Sequence, residues 1–398
     1  MRHARALALG SALVFSFGSL AACAGEDDAG GPPAAAAVAE PAAPPLPSPF
    51  GEPYPLVADW PTLPPGTFFG TEEGFPDQAA RDRAAADRRA QASAAGQGGP
   101  SDATPAELET AEANRFGEGV SGIAIDDQDN VYVFNRGPRT VLVFDREGNF
   151  VRGGGESDAN GVPIAGGWLH SGEVDREGNV WVVERDNHRI LKLAPTLDRV
   201  LLQLGTAGEP GNDATHFDRP SGISVLRNGN LVVTDGYGNN RVVLFAPDGG
   251  FIRQVGLGSG GPDESGAGPA QFDLPHQAAV DALDNLYVVD RENHRIQVFD
   301  AELTYLREMA HPGWYPWDIA ISRRGDDGFA YVADHAGERV HKMALADGTI
   351  LATWGVPGRG PGQFDWVHGM AVDSEGAVYA ADTYGQRVQK FVPGRAPG

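Results

Sequence analysis

Short runs of alternating hydrophobic and polar residues, separated by tight turns, recur along most of the chain. In one example the turn Arg-Glu-Gly-Asn at 176–179 leads into Val-Trp-Val-Val-Glu at 180–184, and another turn precedes Arg-Ile-Leu-Lys-Leu at 189–193. Period-two runs bounded by Gly, Asn and Asp are typical of antiparallel strands joined as hairpins. The chain also holds 54 Gly and 30 Pro, which favours tight turns over long helices. The pattern therefore predicts an all-β fold.

The same strand unit occurs six times between residues 116 and 392. The first strand of each unit ends at residues 126, 175, 226, 281, 322 and 373, so the units are spaced 41 to 55 residues apart. Three or four strands in a unit of this length is the pattern of a β-propeller blade. An open β-solenoid is the alternative, but six units close well into a ring, and closure removes exposed strand edges.

The sixth unit lacks a fourth strand. Its strands are predicted near 368–373, 377–381 and 387–391, and residues 54–58 are the best candidate to supply the missing one. Pro55 suits an outermost strand, because proline cannot donate to a central ladder. We therefore predict a six-bladed β-propeller over residues 116–392, closed by an N-terminal strand within the segment 50–73.

Two segments in front of the repeats differ from them in composition. Residues 74–114 are predicted to form a small helical or flexible insertion, since 79–95 are rich in Ala and Arg and 104–107 read as a capping box. This insertion is either a mobile lid over one face of the ring or a surface insert without a role. Residues 23–49 are rich in Ala, Pro and Gly, which is typical of a tether.

Residues 1–22 are predicted to be an export signal. A basic start and a short apolar stretch at 6–20 are followed by Leu-Ala-Ala at 20–22 and by Cys23, the only cysteine of the chain. This arrangement resembles the lipobox of bacterial lipoproteins; an ordinary signal peptide with a chance cysteine is the alternative. The resemblance implies a protein that is exported and lipid-anchored through Cys23 at the bacterial envelope, and Ala24 fits the outer membrane. The membrane is then contacted only through the lipid anchor.

The charge balance narrows the possible partners. The chain holds 54 Asp and Glu against 31 Lys and Arg, a formal net charge of −23. Nucleic acid is therefore not an expected partner, since phosphate binding needs a clustered basic face. The single cysteine excludes an internal disulfide and a thiolate metal cluster.

Histidines occupy one repeat position in alternate units. The position five residues before the end of each first strand holds Ser121, His170, Ser221, His276, Trp317 and His368. Alternate blades of a regular six-bladed ring lie about 120° apart and first strands line the channel, so the three imidazoles are expected to converge. Three neutral imidazoles with an open fourth position suit a catalytic zinc ion. The alternative is that these side chains merely fill the channel.

Arginines are predicted at the same mouth of the channel, directly after the second strand of three units. They are Arg136, Arg185 and Arg291. One interpretation is that they pair with adjacent carboxylates, such as Glu184 or Asp290. The other is that they hold the carboxylate of a small-molecule or peptide substrate.

Tyr237 lies one step further along in the third unit. Beside zinc and guanidinium groups the pKa of its phenol would fall from about 10, which would suit a proton acceptor. The alternative is an aromatic residue at the channel rim.

Several short motifs resemble known families. Residues 186–190 (Asp-Asn-His-Arg-Ile) and 290–296 resemble NHL repeats. Residues 234–241, 271–276 and 289–293 resemble the peptidyl-α-hydroxyglycine α-amidating lyases. Those are six-bladed zinc propellers that split an α-hydroxyglycine from a peptide and give the peptide amide and glyoxylate.

The resemblance implies a role for six residues. The implied zinc ligands are His170, His276 and His368, and the implied catalytic residues are Tyr237, Arg136 and Arg291. The implied activity is a zinc-dependent cleavage of the C–N bond of a peptidyl-α-hydroxyglycine-like carbinolamide. Gly369 stands where the family has an aspartate that helps to hold calcium, which disfavours a calcium ion, and Trp366 replaces a methionine. The alternatives are a non-catalytic NHL propeller that binds a partner at the cell surface and a zinc hydrolase.

Overall fold

Six four-stranded antiparallel sheets make up nearly all of the described chain in this computed structural model. The structure describes residues 54–64, 69, 119–136, 139–158, 160–161, 163–165, 169–256, 265–321 and 328–394. Five sheets consist of four consecutive strands each, and the sixth combines the last three strands with the first. The innermost strands contact one another around a closed circuit. The predicted six-bladed β-propeller is therefore confirmed.

Each blade runs outward from the central channel in chain order. Blade 1 contains β2 (Val120–Ile125), β3 (Val131–Asn135), β4 (Val141–Phe144) and β5 (Phe150–Gly154). Blade 2 contains β6 (Ser171–Val174), β7 (Val180–Glu184), β8 (Arg189–Leu193) and β9 (Val200–Gly205). Blade 3 contains β10 (Gly222–Val225), β11 (Leu231–Asp235), β12 (Arg241–Phe245) and β13 (Phe251–Gly256). Blade 4 contains β14 (Pro275–Val280), β15 (Leu286–Asp290), β16 (Arg295–Phe299) and β17 (Tyr305–Ala310).

Blades 5 and 6 complete the ring. Blade 5 contains β18 (Pro316–Ile321), β19 (Phe329–Asp334), β20 (Arg339–Ala344) and β21 (Ile350–Trp354). Blade 6 contains β22 (Val367–Val372), β23 (Val378–Asp382), β24 (Arg387–Phe391) and, as its outermost strand, β1 (Leu56–Val57). Two short helical pieces follow second strands: a 3₁₀ turn at Arg185–Asn187 and the helix α1 at Gly236–Asn239.

The hydrophobic core is divided into six clusters, each of which lies between two neighbouring blades. Between blades 2 and 3, for example, Trp181 and Val183 pack against Val233 and Phe245. Because alternate side chains of a strand point to opposite faces of the sheet, each blade contributes to two clusters. The apolar residues that alternate along each strand thus pack every blade against both of its neighbours.

In most blades an acidic residue at the end of the second strand links the third strand to the loop that leads to the inner strand. Asp235 pairs with Arg241 of the third strand at 2.9 Å, and neither side chain is exposed. The same carboxylate accepts the backbone N–H of Asp218, in the loop that leads to the inner strand. Blades 4 and 6 repeat both contacts around Asp290 and Asp382. Burial raises the pKa of Asp235 to about 6 although the arginine opposes the shift.

The N-terminal segment clasps blade 6 to blade 1. Strand β1 pairs antiparallel with β24, as the sequence predicted for 54–58. Beyond it, the ring of Trp60 lies 4.9 Å from Tyr379 of blade 6 and 5.9 Å from Phe144 of blade 1. The N–H of Thr62 donates to the carbonyl of Gly148 at 2.9 Å. The ring is therefore closed by side-chain packing as well as by a short strand.

The predictions for residues 1–49 and 74–114 fall outside the described residues. They comprise the export signal, the lipidated Cys23, the tether and the helical or flexible insertion, and they remain predictions together with the domain boundaries. Across the described part of the chain, no helix has both the length and the apolar character needed to cross a bilayer.

Replacing Trp60 by alanine should lower the free energy of unfolding by about 3–5 kcal/mol, because a buried indole is lost from the clasp. Its side chain is 7% exposed. Urea unfolding followed by circular dichroism measures the effect. Leu283→Ala is the control, because that side chain is 82% exposed, and it should change stability by less than about 0.5 kcal/mol. Equal stability of the two variants would contradict the clasp.

Candidate metal centre

Four inner strands carry a β-bulge at the repeat position of the histidines. In blade 6 the register of β22 against β23 shifts between Val367 and Gly369, so His368 is the extra residue. The same shift occurs at Ser121 in blade 1, at Trp317 in blade 5 and around His276 in blade 4. A bulge bends the strand and re-aims a side chain, and bulges often border active sites. Here they turn side chains toward the channel axis.

The three predicted histidines converge on one point in the channel. Their ring centroids are 5.0 Å apart for His170 and His276, 4.8 Å for His170 and His368, and 5.1 Å for His276 and His368. One ring nitrogen from each lies within 4.8 Å of the other two. Each side chain is 2% exposed. The structure therefore brings together the three residues that the repeat position singled out.

The second ring nitrogen of each histidine is bonded to the next blade. In all three rings Nδ1 lies 2.6–2.7 Å from a backbone carbonyl at the same repeat position of that blade. The pairs are His170 with Ser221, His276 with Trp317, and His368 with Ser121. A carbonyl oxygen only accepts, so Nδ1 must carry the proton and donate. The lone pair of each Nε2 is then left for the centre of the channel.

Burial keeps the three imidazoles neutral. It lowers the pKa of His170, His276 and His368 well below the usual value of a histidine. Repulsion between the groups acts in the same direction: the nearby His368 is the next largest influence on the pKa of His170 and His276, and the Arg136 guanidinium on that of His368. Neutral imidazole is the form that binds a metal ion.

The donor set fits a metal ion held by nitrogen. Within the described residues, the buried Nε2 of His368 has no hydrogen-bond partner. The Nε2 atoms of His170 and His276 lie 3.1 and 3.2 Å from the hydroxyl of Tyr237. Three neutral imidazoles without a carboxylate suit zinc among the common divalent ions. These three histidines could therefore hold the ion with a fourth position open.

Tyr237 is placed at this centre by the helix α1, which begins directly after the inner hairpin of blade 3. Its backbone N–H donates to the carbonyl of Arg219 at 3.3 Å, which anchors the helical turn. The neighbouring Gly236 is required by packing, because a Cβ there would lie 2.2 Å from the carbonyl oxygen of Pro275. The tyrosine is thus a part of the centre and not only of its rim.

Three guanidinium groups surround Tyr237. Nη1 of Arg291 lies 3.5 Å from its hydroxyl, and the guanidinium carbon of Arg185 lies 4.9 Å from its ring centroid. Arg136 is buried, and its Nε donates to the carbonyl of Leu169 at 3.3 Å. Burial and the nearby Arg185 lower the pKa of Arg136 to about 10, which leaves it cationic at neutral pH. Arg185 therefore lies at the site as its repeat position predicted, although the family resemblance implied no catalytic role for it.

The expected pairing of the site arginines with adjacent carboxylates is found for two of them, through the residue that follows each arginine in sequence. Arg185 pairs with Asp186 and Arg291 pairs with Glu292, both at 2.8 Å. The strand-end residues Glu184 and Asp290 pair with the third-strand residues Arg189 and Arg295. The reason is that consecutive residues point in opposite directions, so the strand-end carboxylates face into the blade and the arginines face the channel mouth.

An aromatic cluster borders the centre on the side of blades 5 and 6. Trp366 packs 4.7 Å from Trp317, 4.7 Å from His335 and 4.9 Å from Tyr384. Trp317 in turn lies 5.1 Å from His276 and beneath the guanidinium of Arg291 at 4.2 Å. The cluster forms an apolar, cation-stacked wall next to the metal centre.

Parts of the chain match the NHL repeat model, at residues 217–245, 272–299 and 364–391. Peptidyl-glycine alpha-amidating monooxygenase A of Xenopus laevis is 33% identical over 312 residues, which cover 70% of this chain and 32% of that protein. Peptidyl-alpha-hydroxyglycine alpha-amidating lyase 2 of Drosophila melanogaster is 26% identical over 322 residues, or 71% of this chain and 73% of that protein. NHL repeat-containing protein 3 of Mus musculus is 29% identical over 295 residues, which cover 68% of this chain and 78% of that protein.

This chain thus spans about a third of the length of the amidating monooxygenases that it matches. Among solved structures, a streptogramin B lyase is similar with a TM-score of 0.47 and 15% identity, covering 69% of this chain and 93% of that one.

Purified protein comprising residues 24–398 should contain about one zinc ion per chain, and His276→Ala should lose most of it, because two imidazoles hold zinc much more weakly than three. Metal content is measured by inductively coupled plasma mass spectrometry. His216→Ala changes a histidine outside the channel and should keep the metal. A His276→Ala protein with its full zinc content would contradict the three-histidine centre.

The pH dependence of stability should also report the buried imidazoles. Their pKa values are lowered on folding, so below about pH 6.5 the unfolded chain binds more protons than the folded one and metal-free protein loses stability. Buried carboxyls such as Asp318, with a pKa raised to about 8, change stability with pH in the opposite sense. The effect of the histidine is therefore measured as the difference in stability between the wild type and a histidine variant at each pH. His276→Asn should reduce the loss by about 1.4 kcal/mol per pH unit. Parallel stability curves for the two proteins would contradict a neutral His276.

Proposed function

The chain is an NHL-repeat propeller homologous to the peptidyl-α-hydroxyglycine α-amidating lyases, and on that basis we propose that it is a zinc-dependent lyase. Its substrate would be a peptidyl-α-hydroxyglycine-like carbinolamide, cleaved at the C–N bond to an amide and glyoxylate. One observation carries the proposal: the hydroxyl of Tyr237 lies within 3.1 and 3.2 Å of two Nε2 atoms of the three-histidine centre. A proton acceptor and a metal centre thus meet at one point.

The division of tasks follows from the positions of the groups. When bound, zinc would supply Lewis acidity that makes a substrate hydroxyl more acidic and stabilises its oxygen anion. His170, His276 and His368 would hold it, with Nδ1 of each fixed by a carbonyl of the next blade. These carbonyls orient the rings before any ligand arrives.

Tyr237 would move the proton. The reaction transfers one proton from the substrate hydroxyl to its amide nitrogen: the O–H electron pair becomes the carbonyl of glyoxylate, and the C–N pair leaves with the nitrogen. The tyrosine oxygen would accept the first proton and return one to the leaving amide. Tyr237 would start as the phenolate, which guanidinium groups 4.9 and 5.5 Å from its ring centroid, those of Arg185 and Arg291, would stabilise.

Arg136 and Arg291 would hold the carboxylate of the substrate. Both are buried at the metal centre, where a guanidinium–carboxylate bond is less screened by water than at the surface. Each guanidinium offers paired N–H donors that match the two oxygens of a carboxylate. A substrate fixed in this way would present its hydroxyl to the metal and to Tyr237 together.

The proposal covers the lyase reaction alone. The chain aligns with about a third of the length of the amidating monooxygenases, so the monooxygenase reaction is not part of the proposal. We also keep as a proposal that the protein is exported and anchored at the envelope through Cys23, on the strength of its N-terminal sequence.

Tyr237→Phe should slow glyoxylate release from α-hydroxyhippurate by about 10²–10⁴-fold, because the proton acceptor is removed. Glyoxylate is measured colorimetrically, and zinc content must stay at the wild-type level. Tyr305→Phe, on the outermost strand of blade 4, is the matched control and should keep full activity. Wild-type activity in Tyr237→Phe would exclude the tyrosine from the mechanism. A zinc-loaded wild type that turns over no hydroxyglycine would favour the binding-propeller alternative.

A further inference from the structure

The channel continues past the three histidines toward the face opposite the arginines. A cavity of about 480 Å³ is lined there by the inner strands of all six blades. A second cavity of about 10 Å³, roughly the space of one water molecule, is lined by the histidines themselves. The two cavities share Ile123, Gly172, Gln277 and Asp318. On its underside the histidine centre therefore adjoins the larger cavity.

Oxygen atoms line this underside. Asp318 is 5% exposed and accepts the backbone N–H groups of Ile319 and Met370, both at 2.7 Å. Within the described residues it forms no ion pair with a basic side chain. Glu173 of blade 2 lines the larger cavity, and the buried Oε1 of Gln277 finds no donor among the described residues. Arg176 and Arg227 also line the larger cavity, but both are exposed surface residues. Among the described residues, no Lys or Arg lines the small cavity at the histidines.

The opposite mouth of the channel, on the arginine side, carries positive charge. A cation arriving from the arginine side meets the guanidinium groups of Arg136, Arg185 and Arg291, all less than 9% exposed. Arg185 and Arg291 are partly balanced by Asp186 and Glu292. Even so, three buried cations disfavour the entry of a dication. On that side the hydroxyl of Tyr237 also lies across two of the three Nε2 atoms.

We propose that a divalent metal ion reaches the three histidines through this lower channel, and that Asp318 and Glu173 carry it inward. The inference rests on the metal site of the proposed function and adds a division between two faces, one that admits the metal and one that admits an anionic substrate.

The side chains along the lower channel suit the passage of a metal ion and would not retain it. Carboxylate and amide oxygens can replace some of the water that a metal ion must shed in a narrow channel, which lowers the cost of its desolvation. A zinc-like ion binds imidazole nitrogen in preference to these oxygens. The ion would therefore move on from Asp318 to the histidines, because the nitrogen site is the stronger one.

The test follows the rates of metal uptake and release in the full chain. Protein stripped by a chelator is mixed with Co²⁺, uptake is followed by visible absorption, and release is followed after addition of EDTA. The measurement is made at about pH 9, because burial raises the pKa of Asp318 to about 8 and the carboxylate must be charged. Asp318→Asn should then slow both rates by about tenfold, the size of a local charge effect on ion entry, and Glu173→Gln should slow both to a smaller extent. Because a route affects both directions equally, the dissociation constant should stay unchanged.

Two control variants separate the route from other effects. Glu177→Gln removes an equal charge from a neighbouring surface turn, where the side chain is 78% exposed, and should leave both rates unchanged. Arg136→Gln should leave the rate of uptake unchanged, whereas entry from the arginine side predicts faster uptake; its release rate does not distinguish the routes, because the loss of a repelling charge beside the ion slows release on either route. Thermal unfolding verifies that each variant is folded.

Three results would overturn the inference. Wild-type rates in both Asp318→Asn and Glu173→Gln would exclude the lower route, while loss of cobalt binding in His276→Ala would leave the metal site standing. Weaker binding with faster release in Asp318→Asn would make Asp318 a ligand and not a step on a path. Failure of the wild type to bind cobalt or zinc at all would remove the metal site and the route together.

Discussion

The metal centre depends on a hydrogen bond that crosses from one blade to the next. Each histidine donates its Nδ1 proton to a carbonyl at the same repeat position of the following blade, at 2.6–2.7 Å. That bond fixes the tautomer, orients the ring and directs the Nε2 lone pair to the axis. Histidines and acceptors alternate around all six blades, so the arrangement exists only when the ring is closed. Closure of the fold and assembly of the site are therefore one event.

The electrostatics of the centre follow from the same burial. Three imidazoles are held neutral at the axis, with guanidinium groups above them and carboxylate oxygens below. The formal net charge of −23 belongs to the whole sequence, and it gives no hint of this local separation. A charge gradient along the channel axis is thus built from a few buried side chains. Its direction suits an anion on one side and a metal ion on the other.

The sequence predicted the propeller and the histidines for one reason: both are properties of a repeat. The interval between His170, His276 or His368 and the end of its strand is constant, so a shared position in space could be read from spacing alone. The bulges could not be read in this way, because two-to-one pairing depends on the partner strand as well. Pairing of Arg185 and Arg291 with adjacent carboxylates could be predicted, but which neighbour is the partner could not, because that depends on the direction in which each side chain points. The role of Trp60 was missed, since its neighbours Phe144 and Tyr379 are distant along the chain.

The clasp also has a consequence for the order in which the protein is made. Strand β1 precedes all the blades in the chain, yet its partner β24 is the last strand of the ring. During synthesis β1 emerges first and stays without its partner until the whole ring has followed. Blades 1 to 5 can form from local hairpins as they appear, but the final pairing joins residues that are far apart in sequence and is intrinsically slow. Until that step, the apolar faces that blades 1 and 6 turn toward each other are uncovered, and exposed apolar surface of this kind favours aggregation.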